Sequence, residues 1–123
     1  KSEILVCMLP LTKTTTGILN SNLFSLLPKA ASIINVARGK HLVEKDLLSA
    51  LDSGQLESAT LDVFSEEPLQ KNHPFWDHPK VLVTPHIASL IDPVSGGKSI
   101  AANLKKFIAG EYIDDLIPPG RDY

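Results

Sequence analysis

Apolar positions fall in short blocks separated by polar, turn-forming stretches, and the rhythm inside the blocks changes along the chain. Ile4 to Leu9 is continuous, short and rich in β-branched residues, which predicts a strand buried on both faces, as in a parallel sheet. A Thr-rich loop follows from Leu11 to Gly17. Ser21 can cap a short helix holding Leu23, Phe24, Leu26 and Leu27, stopped by Pro28. Ala31 to Val36 predicts a second strand, ending at Arg38-Gly39. Val43, Leu47, Ala50 and Leu51 form the stripe of an amphipathic helix, with Gly54 as its stop. Ala59 to Phe64 predicts a third strand, residues 65–79 a loop with Pro68, Pro74 and Pro79, and Val81 to Thr84 a fourth strand closed by Pro85-His86. A last helix carries Ile100, Leu104, Phe107 and Ile108 on one face. Gly110 ends it, ahead of a tail with Pro118, Pro119 and Gly120.

The order β-α-β-α-β-β-α predicts an α/β fold with a mostly parallel sheet and helices on its faces. Such sheets bind ligands outside the carboxyl ends of their strands. The Thr-rich loop, Arg38, Glu67 and His86 each follow a predicted strand, which places them on one edge of one sheet. No G-x-G-x-x-G turn, P-loop, G-x-S-x-G elbow or metal-spaced His/Cys cluster occurs. The apolar run begins almost at Lys1, unlike a signal peptide or an ordinary lead-in, so the expectation is that sequence upstream is missing.

Composition narrows the function classes. Apolar residues make up 43% and charged residues 21%, the proportions of an ordinary globular protein, and the formal net charge of −2 gives no electrostatic reason to expect nucleic acid or an anionic membrane as partner. No apolar run reaches the roughly 18 residues of a membrane span. The lone Cys7 excludes an internal disulfide, fits a reducing, cytoplasmic setting and is expected in the core. His41, His73 and His78 read as solvated, and Trp76 as a packing anchor for the Pro-rich loop or a residue lining the cleft.

Three strand-end groups carry candidate chemistry. Arg38, in Asn35-Val36-Ala37-Arg38-Gly39, offers a two-pronged donor face that matches a carboxylate, and Gly39 admits a ligand or another backbone at close range. Asp62-Val63-Phe64-Ser65-Glu66-Glu67-Pro68 supplies carboxylates that can accept from a ligand amide or orient a histidine. In Thr84-Pro85-His86 the proline restricts the backbone on both sides of an imidazole that can exchange protons near neutral pH. Each alone has a plainer reading, as a surface arginine, a solvated acidic loop and a structural histidine. Chance rarely puts all three at strand ends of one sheet.

Leu9-Pro10-Leu11-Thr12 with Thr15-x-Gly17, Asn35-Val36-Ala37-Arg38-Gly39, Leu61-Asp62-Val63-Phe64-x-x-Glu67-Pro68 and Thr84-Pro85-His86 resemble, in order, the successive signatures of the D-isomer-specific 2-hydroxyacid dehydrogenases. Trp76-x-His78-Pro79 and the ending Arg121-Asp122-Tyr123 resemble the bacterial glyoxylate/hydroxypyruvate reductase branch. The resemblance implies a Rossmann-type, doubly wound parallel sheet. Residues 1–110 would be the C-terminal part of an NAD(P)-binding domain and 111–123 a C-terminal tail, with the N-terminal half and the substrate domain absent. It implies NAD(P)H-dependent reduction of a small 2-oxo acid by the parent protein, with NADP slightly favoured, and a cytoplasmic homodimer. Arg38 would hold the substrate, His86 would be the acid and Glu67 its paired carboxylate. Cofactor contacts would come from Leu9, Pro10 and Thr15 on the adenosine side, from Val36, Ala37 and Arg38, from Asp62 at the nicotinamide carboxamide, and from His86. The alternatives are a non-catalytic NAD-sensing module of the corepressor type and an inactive fragment. Without the phosphate-binding turn, the chain alone is expected to bind NADPH weakly or not at all.

Overall fold

The computed structural model describes residues 2–113 together with 116 and 117. The chain divides into two compact units, Lys1–Ala88 and Ser89–Tyr123. The boundary expected at Gly110 therefore falls inside the second unit, and the Arg121-Asp122-Tyr123 ending, like Pro118 to Gly120, lies outside the described residues.

The first unit is a four-stranded, all-parallel sheet whose spatial order, β1 (Ile4–Cys7), β2 (Ala31–Asn35), β3 (Leu56–Leu61) and β4 (Val81–Val83), follows the chain. Parallel neighbours need crossovers. The first two crossovers are helices, α1 (Ser21–Leu26) and α2 (Glu44–Asp52), and the third is the loop over residues 62–80, with one short 3-10 turn at Pro74–Trp76. Asn20, rather than Ser21, caps α1: its Oδ1 accepts the Leu23 N–H at 3.2 Å, while the Ser21 N–H turns to Asp46 Oδ2 at 2.9 Å. Glu44 and Asp46 place negative charge in the first turn of α2, where the helix dipole favours it, and Gly54 ends the helix region at φ +72°.

The strand register sorts the side chains into two faces. Leu5, Ile33, Ala59 and Val81 form one row, and Cys7, Asn35, Leu61 and Val83 the next; these pack with Phe24, Leu47 and Leu51 into the core. Cys7 is buried there, as expected. The opposite row is Val6, Ile34, Thr60 and Leu82, and within Lys1–Ala88 no helix covers it. This overturns the expectation of a first strand buried on both faces: Ile4 is 58% and Val6 47% exposed, because both helices of the unit serve the other side. The third strand starts at Leu56, three residues before the expected Ala59, because Leu56 already pairs with Ala31; it ends at Leu61, before the expected Phe64.

The second unit contains α3 (Pro93–Ile108). Asp92 caps it by accepting from the Ser95 N–H at 2.9 Å and the Ser95 hydroxyl at 2.6 Å, Pro93 takes the first turn, and Gly110 follows its end at φ +70°. Among the described residues no helix is long and apolar enough to cross a membrane.

The one-sided core sets different costs for two leucines of neighbouring strands. Leu61→Ala, at a fully buried position, should lower the unfolding free energy by about 2–5 kcal/mol. Leu82→Ala, on the uncovered face, should change it by about 0.5 kcal/mol or less. Urea denaturation of the two variants checks both.

Candidate active site

The chain leaves β2 in a turn built around a buried asparagine. Asn35 Oδ1 accepts the Ala37 N–H at 3.2 Å and its Nδ2 donates to the Arg38 carbonyl at 3.2 Å. That turn lifts Arg38 to the surface in extended conformation, with Nη1 donating to its own neighbour, the Ala37 carbonyl, at 2.6 Å. Among the described residues no carboxylate lies within ion-pair distance of Arg38. Gly39 then passes directly against another backbone: a Cβ there would stand 1.8 Å from the Phe64 carbonyl carbon and 2.3 Å from the Ser65 nitrogen. The close approach that the glycine allows is thus to the loop that carries Glu67.

Glu67 uses its two carboxylate oxygens on two segments. Oε1 accepts the Phe64 N–H at 2.9 Å and Oε2 faces Nδ1 of His86 at 2.8 Å, with the following peptide to Pro68 in the cis form. A carboxylate only accepts, so Nδ1 of His86 carries the proton and Nε2 is left for other partners. The His86 bond, and after it the Phe64 N–H, hold the Glu67 carboxyl below its usual 4.5 against the opposing effect of burial.

At the end of β4, Thr84, Pro85 and His86 form a tight turn in which the His86 N–H reaches the Thr84 carbonyl at 3.1 Å. His86 itself has φ +53°, a left-handed conformation that strains a non-glycine residue. Asp62 holds it there. Its buried carboxylate accepts from the Thr84 hydroxyl and from the Ile87 and Ala88 N–H groups, the last two at 2.9 Å. Burial pushes the Asp62 carboxyl up, but the bonds from Thr84, Ala88 and Ile87, with His86 nearby, outweigh it and hold it below its usual 3.8. Asp62 thus sits under the His86 turn, with Val36 half-buried and Ala37 buried at the neighbouring strand end.

Two cavities meet at Glu67. One of about 300 Å³ is lined by Leu11, Arg38, Gly39 and Glu67, and one of about 200 Å³ by Glu67, Leu69, Trp76 and His86. Trp76, half exposed, lines the second cavity, and its Nε1 ties the loop by donating to the Gln70 carbonyl at 2.8 Å. After β1, Leu9 is partly exposed, and Thr15 folds the Thr-rich loop by donating to the Pro10 carbonyl at 2.7 Å.

Three histidines depart from the expectation that they are solvated. His41 is wholly buried between the Arg38 backbone and the Pro10 carbonyl. His73 and His78 are mostly covered and pair with Glu44 at 3.2 Å and Asp52 at 3.3 Å, each also accepting a nearby backbone N–H through Nδ1. The structure also brings in Thr84, which the sequence reading did not single out as a site residue. Its place beside Pro85-His86 was visible, but its acceptor, Asp62, was not.

An all-parallel α/β sheet with helices, carrying a solvent-facing arginine and a carboxylate–imidazole pair at its carboxyl edge, defines a Rossmann-type domain. Residues 1–88 match the family described as D-isomer specific 2-hydroxyacid dehydrogenase, NAD binding domain, and the chain belongs to this family. It is 48% identical over 122 residues to glyoxylate/hydroxypyruvate reductase A of Yersinia enterocolitica, covering 99% of this chain and 39% of that protein. It is 53% identical over 109 residues to the reductase of the same name from Serratia proteamaculans, covering 89% of this chain and 35% of that protein. Among solved structures, a D-isomer specific 2-hydroxyacid dehydrogenase from Xanthobacter autotrophicus in complex with NADPH and MES superposes with a TM-score of 0.91 at 45% identity, over 99% of this chain and 50% of that one. The NADPH-dependent glyoxylate/hydroxypyruvate reductase from Sinorhizobium meliloti in complex with NADP and sulfate gives 0.88 at 40% identity, over 94% and 38%. The chain spans well under half the length of the two reductases of Yersinia and Serratia.

Gly39→Ala should cost about 3 kcal/mol or more, because the new methyl meets backbone that cannot step aside as a side chain would; urea denaturation measures it. The Glu67 carboxyl gives a second test. With its folded-state pKa below the unfolded one, it stabilises the fold above about pH 4.5, and that contribution is lost as pH falls through the folded value. His86→Leu should bring the carboxyl back toward 4.5, still held somewhat low by the Phe64 N–H, and weaken this acid dependence. A 13C NMR titration of the Glu67 side chain follows the shift.

Proposed function

We propose that, in a whole protein built like these relatives, the chain supplies the proton-handling and carboxylate-binding half of an enzyme that reduces a small 2-oxo acid, of the glyoxylate or hydroxypyruvate type, to the D-2-hydroxy acid with NADPH. Residues 1–110 act as the C-terminal part of the cofactor domain and 111–123 as a tail, and the whole protein works as a cytoplasmic homodimer. The observation that carries the reading is the Glu67–His86 bond of 2.8 Å, at the sheet edge that also bears Arg38.

Bonded to Glu67 through Nδ1, the half-exposed His86 ring leaves Nε2 for a substrate. With Nδ1 committed to the Glu67 carboxylate, Nε2 is the ring atom placed to deliver a proton to the substrate carbonyl oxygen as negative charge develops there. Arg38, with no protein carboxylate paired to it among the described residues, offers its fork to the substrate carboxylate. The donor set also fits a dinucleotide. The exposed apolar edge at Leu9 with Pro10 and Thr15 suits an adenosine, and Val36, Ala37, Arg38 and His86 lie at the strand ends where the nicotinamide side would be held. Asp62 holds the His86 turn with three protein donors and, with acceptor capacity to spare, would meet the nicotinamide carboxamide. The bound cofactor supplies the hydride. Three solved relatives carry NADPH or NADP, which supports the phosphorylated form.

Steady-state hydroxypyruvate reduction by the complete protein tests this. His86→Ala should lower kcat by about 10²–10⁴-fold with a modest change in KM, since the proton is delivered only in the transition state. Arg38→Ala should raise KM strongly and also lower kcat. A His86→Ala variant with near-normal kcat at neutral pH would overturn the reading in favour of a binding module.

A further inference from the structure

His41 is a wholly buried imidazole that the proposed chemistry leaves without a task. Its ring stands between two segments far apart in sequence. Nε2 lies 3.2 Å from the Pro10 carbonyl oxygen, which can only accept, so Nε2 carries the hydrogen. Nδ1 lies 3.2 Å from the Arg38 N–H, which can only donate, so Nδ1 is the acceptor. The Arg38 carbonyl, 3.0 Å from Nδ1, is already supplied by the Asn35 side chain and the His41 N–H. One neutral tautomer therefore satisfies both bonds. The far end of the Thr-rich loop is stitched to the same turn by backbone, through Gly17 N–H to the Lys40 carbonyl and Leu19 N–H to the His41 carbonyl, both 2.9 Å. At the near end, where Leu9, Pro10 and Thr15 leave β1, the imidazole makes the corresponding link.

We propose that His41 is a positioning residue: it fixes the Arg38 backbone against the Pro10–Thr15 loop and so sets the spacing between the substrate carboxylate and the cofactor. The inference rests on the reading of Arg38 and the Thr-rich loop given above. A histidine that merely filled space would be replaced by any side chain of similar size. A bridging one has two separable ends. Glutamine can present an N–H where Nε2 stands and keep the Pro10 bond, and asparagine can present an oxygen where Nδ1 stands and keep the Arg38 bond.

In the complete protein, His41→Gln should raise the hydroxypyruvate KM by about tenfold, the order of one lost hydrogen bond, with the NADPH KM within about twofold of normal. His41→Asn should do the reverse, and His41→Leu should raise both. Arg38→Lys serves as the control. A control that raises the hydroxypyruvate KM while the Gln and Asn variants each move both constants together, or neither, would overturn the inference and leave the site reading intact. A control without effect would overturn the site reading and this inference with it. NMR of the 123-residue chain alone gives a readout free of activity. The His41 ring should show the Nε2–H tautomer, and the Arg38 amide should shift in the Gln and Leu variants but hold in the Asn variant. A Nδ1–H tautomer, or an Arg38 amide indifferent to all three, would sink the bridge.

Discussion

The backbone of Phe64 and Ser65 runs so close to Gly39 that no Cβ fits between them, and much of the site's geometry follows from that contact. It brings the turn after β2 against the loop after β3 at main-chain distance, where neither can shift without the other. Arg38 sits one residue before the contact and Glu67 two residues after it. Their separation is thereby set by backbone rather than by the flexible side chains themselves. Rigid support of this kind is what a polar site needs, because small displacements of its groups cost much of their effect.

Glu67 and Asp62 extend the same principle to His86. One carboxylate divides its oxygens between its own loop and the imidazole; the other gathers three donors from the turn that bears the imidazole. A left-handed histidine is costly on its own, and the Asp62 bonds over-determine it. Two acids of one short segment thus divide the work: the buried one shapes the backbone, and the more open one meets the ring.

Much of this was legible in the sequence. Strand and helix order followed from block length and spacing, and the strand-end positions of Arg38, Glu67 and His86 from chain topology. The family signatures supplied the pairing of Glu67 with His86. What stayed hidden depended on side chains bonding to distant backbone. Nothing in the local pattern around His41 shows that its ring nitrogens meet Pro10 and Arg38. Asn20 and Ser21 are both good caps, and only the engagement of the Ser21 N–H by Asp46 decides between them. The uncovered row of Val6 and Leu82 was hidden for another reason: a continuous apolar run looks the same whether one or both of its faces are packed.

The agreement between strand order and chain order has a consequence for how the molecule forms. Each strand pairs with the one made just before it, so every closure spans a single crossover and none waits for a distant segment. Loop-closure entropy is then met in small steps, and contacts accumulate from the N-terminal side as a chain is synthesised. β4, the last of these four strands along the chain, carries His86 to Glu67 and the Thr84 hydroxyl to Asp62. Neither contact can form until β4 has joined the other three strands, so the Glu67–His86 pair comes with the sheet and not before it.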